Sequence, residues 1–253
     1  MRFVKNVKIA SVYAVFIIDD KIMLLLNKLG NITFPGGTIE RTDVSNVPDY
    51  TVNINEHIFY EDKIIYKIKK ENRLASINGI LREMNEEITL DIDHFDITNI
   101  TDILKESTMY VIGLNSKSGA VCFIVNKNMP YDLIMQLQKR VHERTELDDG
   151  SLPEYLSEIK EILLLNVNSV LNVNKKGNIY PNGFLYINHD HPHKLTQRAK
   201  KILKKIIAVD DDFRKIVTDN NRTNKPIVKK RRRSNTINNK SYCDMLAKIS
   251  LSI

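Results

Sequence analysis

Apolar and polar positions change rhythm several times along the 253-residue chain, and each change marks an element. Over 7–18 and 21–27, β-branched, aliphatic and aromatic residues dominate on either side of Asp19-Asp20, which predicts strand, turn, strand. NITFPGGTIE adds a short strand ended by Pro35-Gly36-Gly37, where the glycines open backbone conformations closed to other residues. Residues 44–71 are polar and mixed. Within them HIFYEDKIIYKI alternates around Glu61-Asp62-Lys63, the pattern of a small inserted hairpin.

From Asn72 the period becomes helical. Leu74, Ile77, Leu81, Met84 and Ile88 recur at spacings of 3 and 4, which predicts a helix over 74–88 with that stripe turned inward. Strands are expected over 97–104, 108–115 and 120–126, then a helix over 131–145 and a strand in EILLLNV. HKLTQRAKKILKKIIAVDDDFRKIV reads as one C-terminal helix, basic on its outer face. The chain has no internal repeat. Several strands with one early helix and late helices predict an α+β fold, an α/β/α sandwich, over 1–218. Residues 219–253 hold few apolar residues before MLAKISLSI and are expected to form a basic, flexible tail.

At 42% hydrophobic the chain can bury one substantial core. Cys122 and Cys243 make neither a disulfide framework nor a zinc spacing, which points to a reducing compartment. The start imitates a secretory signal, but its apolar run ends at Asp19-Asp20 without a small-residue cleavage site and a second run follows at once. No segment approaches the roughly 18 apolar residues of a membrane span, so no stable membrane association is expected. The net charge of +7 is concentrated between Arg222 and Lys240, where basic residues include Lys229, Lys230, Arg231, Arg232 and Arg233 and acidic ones are absent. The basic character therefore belongs to the tail.

LREMNEEITL crowds carboxylates onto the predicted helix. Glu83, Glu86 and Glu87 are related by i, i+3 and i+4, so all three emerge on one face and repel. A divalent cation would remove that repulsion, and oxygen ligands at this density suit Mg²⁺ or Mn²⁺. Arg82, four residues before Glu86, can orient a carboxylate through its planar fork. The alternative is an ordinary solvated helix face. The Gly-Gly break after an upstream strand shifts the balance toward a site.

At these residues the chain resembles the Nudix hydrolases, whose box reads G-x5-E-x7-R-E-U-x-E-E-x-G-U with U a bulky apolar residue. Gly37 stands at the first glycine, Arg82-Glu83-Met84-Asn85-Glu86-Glu87 matches the R-E-U-x-E-E core, and Leu90 is the last apolar position. Asp43 replaces the first glutamate, Thr89 replaces the second glycine, and 38 residues separate Asp43 from Arg82 where the box has seven. Loop-closure cost grows only logarithmically with length, so an insertion over 44–71 is compatible with the site if its ends stay adjacent. The resemblance implies a Nudix fold with extra C-terminal helices and metal-dependent cleavage of a nucleoside diphosphate linkage. It implies Glu83, Glu86, Glu87 and the Gly37 carbonyl as metal ligands, with Glu87 or a later carboxylate as general base. SEIKEILLLNV is similar to a segment of the poxvirus decapping enzymes, which makes Glu158 the first candidate for that carboxylate and Glu161 the second, with Glu143 and Glu146 weaker.

The box fixes the bond and not the group attached to it. A long basic tail suits work at an RNA end, because phosphate contacts are strong and independent of sequence. The leading expectation is removal of the 5′ cap from mRNA, releasing 7-methyl-GDP and leaving a 5′-monophosphate RNA open to exonucleases. Heavy use of Asn, Ile and Lys agrees with an AT-rich viral genome, and the resemblance to the viral decapping enzymes implies a protein of the host cytoplasm that shuts off host messages. The run at 229–233 resembles a nuclear-import signal as much as an RNA patch. Tyr180 and Phe184 are candidates to stack on the capped base, with Tyr186, Tyr50, Phe59 and Tyr60 behind them. Cleavage of ADP-ribose, a dinucleoside polyphosphate or an inositol pyrophosphate is the alternative within the family, and a non-catalytic RNA-binding module is the alternative outside catalysis. No protein partner is inferable.

Overall fold

The structure is a computed structural model and describes residues 6–44, 51–60, 63–68, 73–88, 97–115, 119–147, 150, 158–187 and 191–223. Its elements run β1 (Asn6–Ile18), β2 (Lys21–Asn27), β3 (Asn31–Thr33), α1 (Arg41–Val44), β4 (Thr51–Tyr60), β5 (Lys63–Ile68), α2 (Leu74–Ile88), α3 (Ile97–Glu106), β6 (Thr108–Asn115), β7 (Gly119–Asn126) and α4 (Tyr131–Leu147). They continue with β8 (Ile159–Asn166), α5 (Val167–Val170), β9 (Leu171–Val173), β10 (Ile179–Pro181), β11 (Phe184–Tyr186), β12 (Pro192–Leu195), α6 (Gln197–Val209) and α7 (Asp211–Thr223). The class is α+β. The chain divides into a compact unit, Met1–Asn221, and a second, Arg222–Ile253.

β1 organises the first unit. Its start, Asn6–Lys8, pairs antiparallel with β4, and Ile9–Phe16 pairs parallel with β7. β4 pairs with β5, β5 with β6, and β6 with β7, so these pairings form a closed circuit through β1. The hairpin expected within 44–71 is β4–β5, and both of its strands belong to the main sheet. β2 pairs with β8 along its length and with β3 near its end, and β12 adds parallel to β3.

Alternation along β1 feeds two cores. Val12, Ala14 and Phe16 join a cluster with Ile77, Ile80, Met84 and Ile88 of α2, Ile100 and Leu104 of α3, and Ile134, Leu137 and Val141 of α4. Val15 and Ile17 join a second cluster with Ala199, Ile202, Leu203, Ile206 and Ile207 of α6 and Phe213 and Val217 of α7. Side chains alternate between the two faces of a strand, so helices cover both faces of this sheet. Among the described residues no helix is long and apolar enough to cross a membrane.

Three sequence expectations need correction. Residues 97–106 form α3 and not a strand. Ile100 and Leu104, an i, i+4 pair, are fully buried on one helical face, so the spacing outweighs the β-branched content. The C-terminal helix is interrupted. PHKL is the strand β12, Thr196 caps α6 by accepting from Ala199 N–H at 3.2 Å, and Asp210 breaks the helix. Asp210 N–H closes α6 on Ile206 while its Oδ1 accepts from Phe213 N–H at 2.9 Å, so one residue ends α6 and caps α7. On α2, Leu74 is 47% exposed and Leu81 only partly buried, whereas Ile80 is fully buried.

Candidate active site

The site is built where the turn after β3 meets the last two turns of α2. Gly36 has φ +130°, a conformation that side chains rarely adopt, and a Cβ there would collide with the backbone of Val12 and Tyr13. The chain needs glycine because it passes directly over β1. Val12 N–H donates to Gly37 O and Ala14 N–H donates to Pro35 O, both at 2.9 Å. A Cβ on Gly37 would land on the Glu83 carboxylate. The bond that joins loop to helix runs from Gly36 N–H to Glu87 Oε2 at 3.2 Å, across 51 positions of sequence.

Arg82 is the hub of the charges. Its Nε donates to Asp43 Oδ1 at 3.1 Å, Nη1 to Glu86 Oε2 at 2.8 Å, and Nη2 to Glu83 Oε1 at 2.9 Å and to the Thr38 carbonyl at 2.6 Å. Glu40 lies 3.7 Å from Nη1. Burial opposes the charge of Arg82, but the hydrogen bonds to Asp43 and the carboxylates around it prevail and raise its pKa above the ordinary arginine value. Asp43 is itself only 3% exposed and accepts from Glu40 N–H at 2.8 Å, while Asn78 holds its backbone carbonyl at 3.0 Å. In the sequence Asp43 stands out only through the resemblance, as the residue in place of the first glutamate of the box. Its work is to hold Arg82, which in turn holds Glu83 and Glu86.

The carboxylates differ in environment. Glu87 is the most perturbed: burial pushes its pKa up to about 8, Gly36 N–H pulls it down, and the charges of Glu83, Glu158 and Glu86 raise it again. Burial also raises Glu83, against the pull of Arg82. The Glu86 side chain is 40% exposed. Glu158 is exposed just before β8, its carbonyl accepts from Lys28 N–H at 3.0 Å, and its charge reaches Glu87. Arg144, near the end of α4, carries no motif yet braces this corner. Its Nη2 donates to the Glu87 carbonyl at 3.1 Å and to the Ile159 carbonyl at 3.2 Å, tying the end of α2 to the start of β8.

The structure thus gathers Gly37, Arg82, Glu83, Glu86, Glu87 and Glu158. Glu161, Glu143 and Glu146 are elsewhere: Glu161 and Glu146 line a groove between α4 and β8, and Glu143 pairs with Lys139 at 3.6 Å. Tyr180 and Phe184 are exposed on β10 and β11, and no hydrogen bond, ion pair or ring contact joins either to the carboxylates. Lys229, Lys230, Arg231, Arg232 and Arg233 lie outside the described residues, as do Thr89, Leu90 and Tyr50.

Among the described residues no three acid, histidine or cysteine side chains form a ready-made metal cage. Arg82 draws Glu83 and Glu86 to itself, and Gly36 holds Glu87. The donor set is nevertheless all oxygen. Two of its carboxylates have pKa values raised chiefly by burial, so a hard divalent cation would relieve a charge that the fold has desolvated. Gly37 O accepts Val12 N–H and keeps a second lone pair. No family model matches the chain, and no curated protein is similar to it.

Proposed function

We propose that this site hydrolyses a nucleoside diphosphate linkage and that its substrate is the 5′ cap of mRNA. The observation that carries the reading is the 3.2 Å bond from Gly36 N–H to Glu87 Oε2. It brings a glycine turn and three helix carboxylates into one site although the segment 44–71 separates them in sequence. This is the arrangement that the Nudix resemblance requires.

Glu83, Glu86, Glu87 and the Gly37 carbonyl would hold Mg²⁺ or Mn²⁺. Once bound, the cation neutralises diphosphate oxygens and lowers the pKa of a coordinated water. Arg82 keeps Glu83 and Glu86 oriented, itself fixed by Asp43 and Thr38. Glu87, buried against the glycine turn, would be neutralised by the cation, which leaves Glu158, exposed beside it, as the carboxylate that takes the proton and passes it to solvent. The water oxygen bonds to phosphorus, its proton goes to Glu158 and on to solvent, and the bond to the leaving phosphate breaks. Applied to capped RNA, the products are 7-methyl-GDP and a 5′-monophosphate RNA.

The RNA end is favoured over a free nucleotide by the exposed basic residues of α6 and the basic run at 229–233, which a small substrate would not use. Product analysis with cap-labelled RNA and with ADP-ribose, each in Mg²⁺ and Mn²⁺, tests the reading. Release of 7-methyl-GDP supports it. Cleavage of ADP-ribose alone overturns the cap, and cleavage of neither overturns the enzyme.

A further inference from the structure

Tyr13 belongs to no motif in the sequence, yet it lies against the glycine turn of the site, and Arg198 lies over its ring. Gly36 lies so close to β1 that a Cβ on it would stand 2.8 Å from Tyr13 Cα. The same glycine donates to Glu87, and its neighbour Gly37 faces Glu83. The Gly36-Gly37 turn is therefore the partition between the carboxylates and Tyr13. Charges from both sides act on the phenol: burial raises its pKa, Glu83 and Glu87 add to that, and Arg198 opposes them.

Arg198 is in the first turn of α6, with its guanidinium carbon 5.7 Å from the centroid of the Tyr13 ring. It is exposed, and among the described residues no carboxylate pairs with it. A cation at a helix N-terminus works against the helix dipole by some tenths of a kcal/mol, so the position is not chosen for helix stability. What it offers is a planar donor fork held on an aromatic face, the geometry that suits a phosphate. The rest of α6 extends the same charge. Lys200, Lys201 and Lys204 are its next basic residues, QRAKKILKKIIAV contains no acid, and Lys200 and Lys204 form a like-charge i, i+4 pair. Such pairs destabilise an isolated helix, and a bound polyanion reverses the sign.

We propose that Arg198, seated on Tyr13, binds a substrate phosphate next to the carboxylate site, and that the exposed lysines of α6 take the phosphates that follow along an RNA strand. This deepens the function proposed above and rests on it for the end of the substrate at the carboxylates. It commits the occupant of α6 to a polynucleotide.

The test uses the full chain in Mg²⁺ and two probes, a single-stranded RNA with a 5′-monophosphate and the same RNA with a 5′-hydroxyl, titrated by fluorescence anisotropy. Arg198→Ala should weaken the phosphorylated RNA by about tenfold and the hydroxyl RNA much less, and Arg198→Lys should recover part of the difference. Lys201→Ala and Lys204→Ala should weaken both probes equally, each lowering the slope of log affinity against log salt by roughly 0.7. Mn²⁺ affinity should be unchanged in Arg198→Ala, since a residue that acted through the carboxylates would alter it. Equal affinity of wild type and Arg198→Ala for the phosphorylated RNA overturns the proposal. So does tighter binding to anionic phospholipid vesicles than to either RNA with loss in the same variants. Arg198-dependent discrimination of the 5′-phosphate in a protein that hydrolyses no diphosphate upholds this inference while the proposed activity falls.

Discussion

Arg82 Nε donates to Asp43 Oδ1 at 3.1 Å across 39 positions of sequence. The pair closes the ends of a segment that supplies two strands to the main sheet, and it anchors the residue from which Glu83 and Glu86 take their orientation. Asp43 is 3% exposed and the Arg82 side chain 17%, so removal of the carboxylate leaves Arg82 with a part-buried, unmatched donor. Asp43→Ala should cost about 1.5–3 kcal/mol in urea unfolding, the range for a hydrogen bond to a charged group. It should also lower turnover more than substrate affinity. A variant as stable as wild type would show that Arg82 is held by Thr38 and the glutamates alone.

Glu87 gives the fold a pH dependence opposite to that of a paired carboxylate. Its ordinary pKa of 4.5 is raised to about 8 in the folded chain, so between those values the native state holds a proton that the unfolded chain has lost. Stability without metal should therefore fall as pH rises from about 4.5 to about 8, by at most roughly 1.4 kcal/mol per pH unit from this group, and level off above. Urea midpoints in EDTA across that range, compared with Glu87→Gln, isolate the contribution. A Glu87→Gln profile as steep as that of wild type would remove the buried carboxyl from the account.

The two glycines of the turn should fail in different ways. Gly36→Ala meets backbone on one side and a positive φ besides, so it should lower the thermal midpoint sharply, the dihedral strain alone costing about 1–3 kcal/mol. Gly37→Ala meets only the Glu83 carboxylate, a side chain able to swing away. It should keep a nearly normal melt while Mn²⁺ affinity, read by titration, falls by at least about tenfold. Equal losses of stability in the two variants would contradict this division.

Much of this was legible in the sequence, for reasons visible in single residues. α2 declared itself because Ile77, Met84 and Ile88 keep a helical period, and the carboxylates followed from their spacing on it. The stretch 97–106 did not, because isoleucines at every third position satisfy a β-rich composition and a helical period together, and only packing of Ile100 and Leu104 decides. The break at Asp210 falls in a stretch with no Gly or Pro, and its one local signal is the run Asp210-Asp211-Asp212, whose first residue is a favoured cap. It depends on a side chain that caps α7 and pairs with Lys127 at 2.7 Å on a distant turn. Arg144 and Tyr13 reach the site by tertiary contact from two separate elements, and no local pattern marks such residues.

Arg144 extends the account to the brace behind Glu87. Its guanidinium links the α2 terminus to the start of β8 and carries positive charge to the helix C-terminus, where the dipole welcomes it. Arg144→Ala should cost about 1 kcal/mol of stability and slow turnover several-fold with KM little changed. Rescue by Arg144→Lys should be partial, because one amine cannot span both carbonyls. A full recovery in the lysine variant would reduce the role to charge alone.

The most direct measurement is release of 7-methyl-GDP from cap-labelled RNA by the full chain in Mg²⁺ and in Mn²⁺, with Glu87→Gln beside it at matched thermal stability. The account predicts release by wild type under at least one metal, a 5′-monophosphate RNA as the second product, and a fall of about 100-fold or more in Glu87→Gln. No release under either metal, or equal turnover by the two proteins, would contradict it.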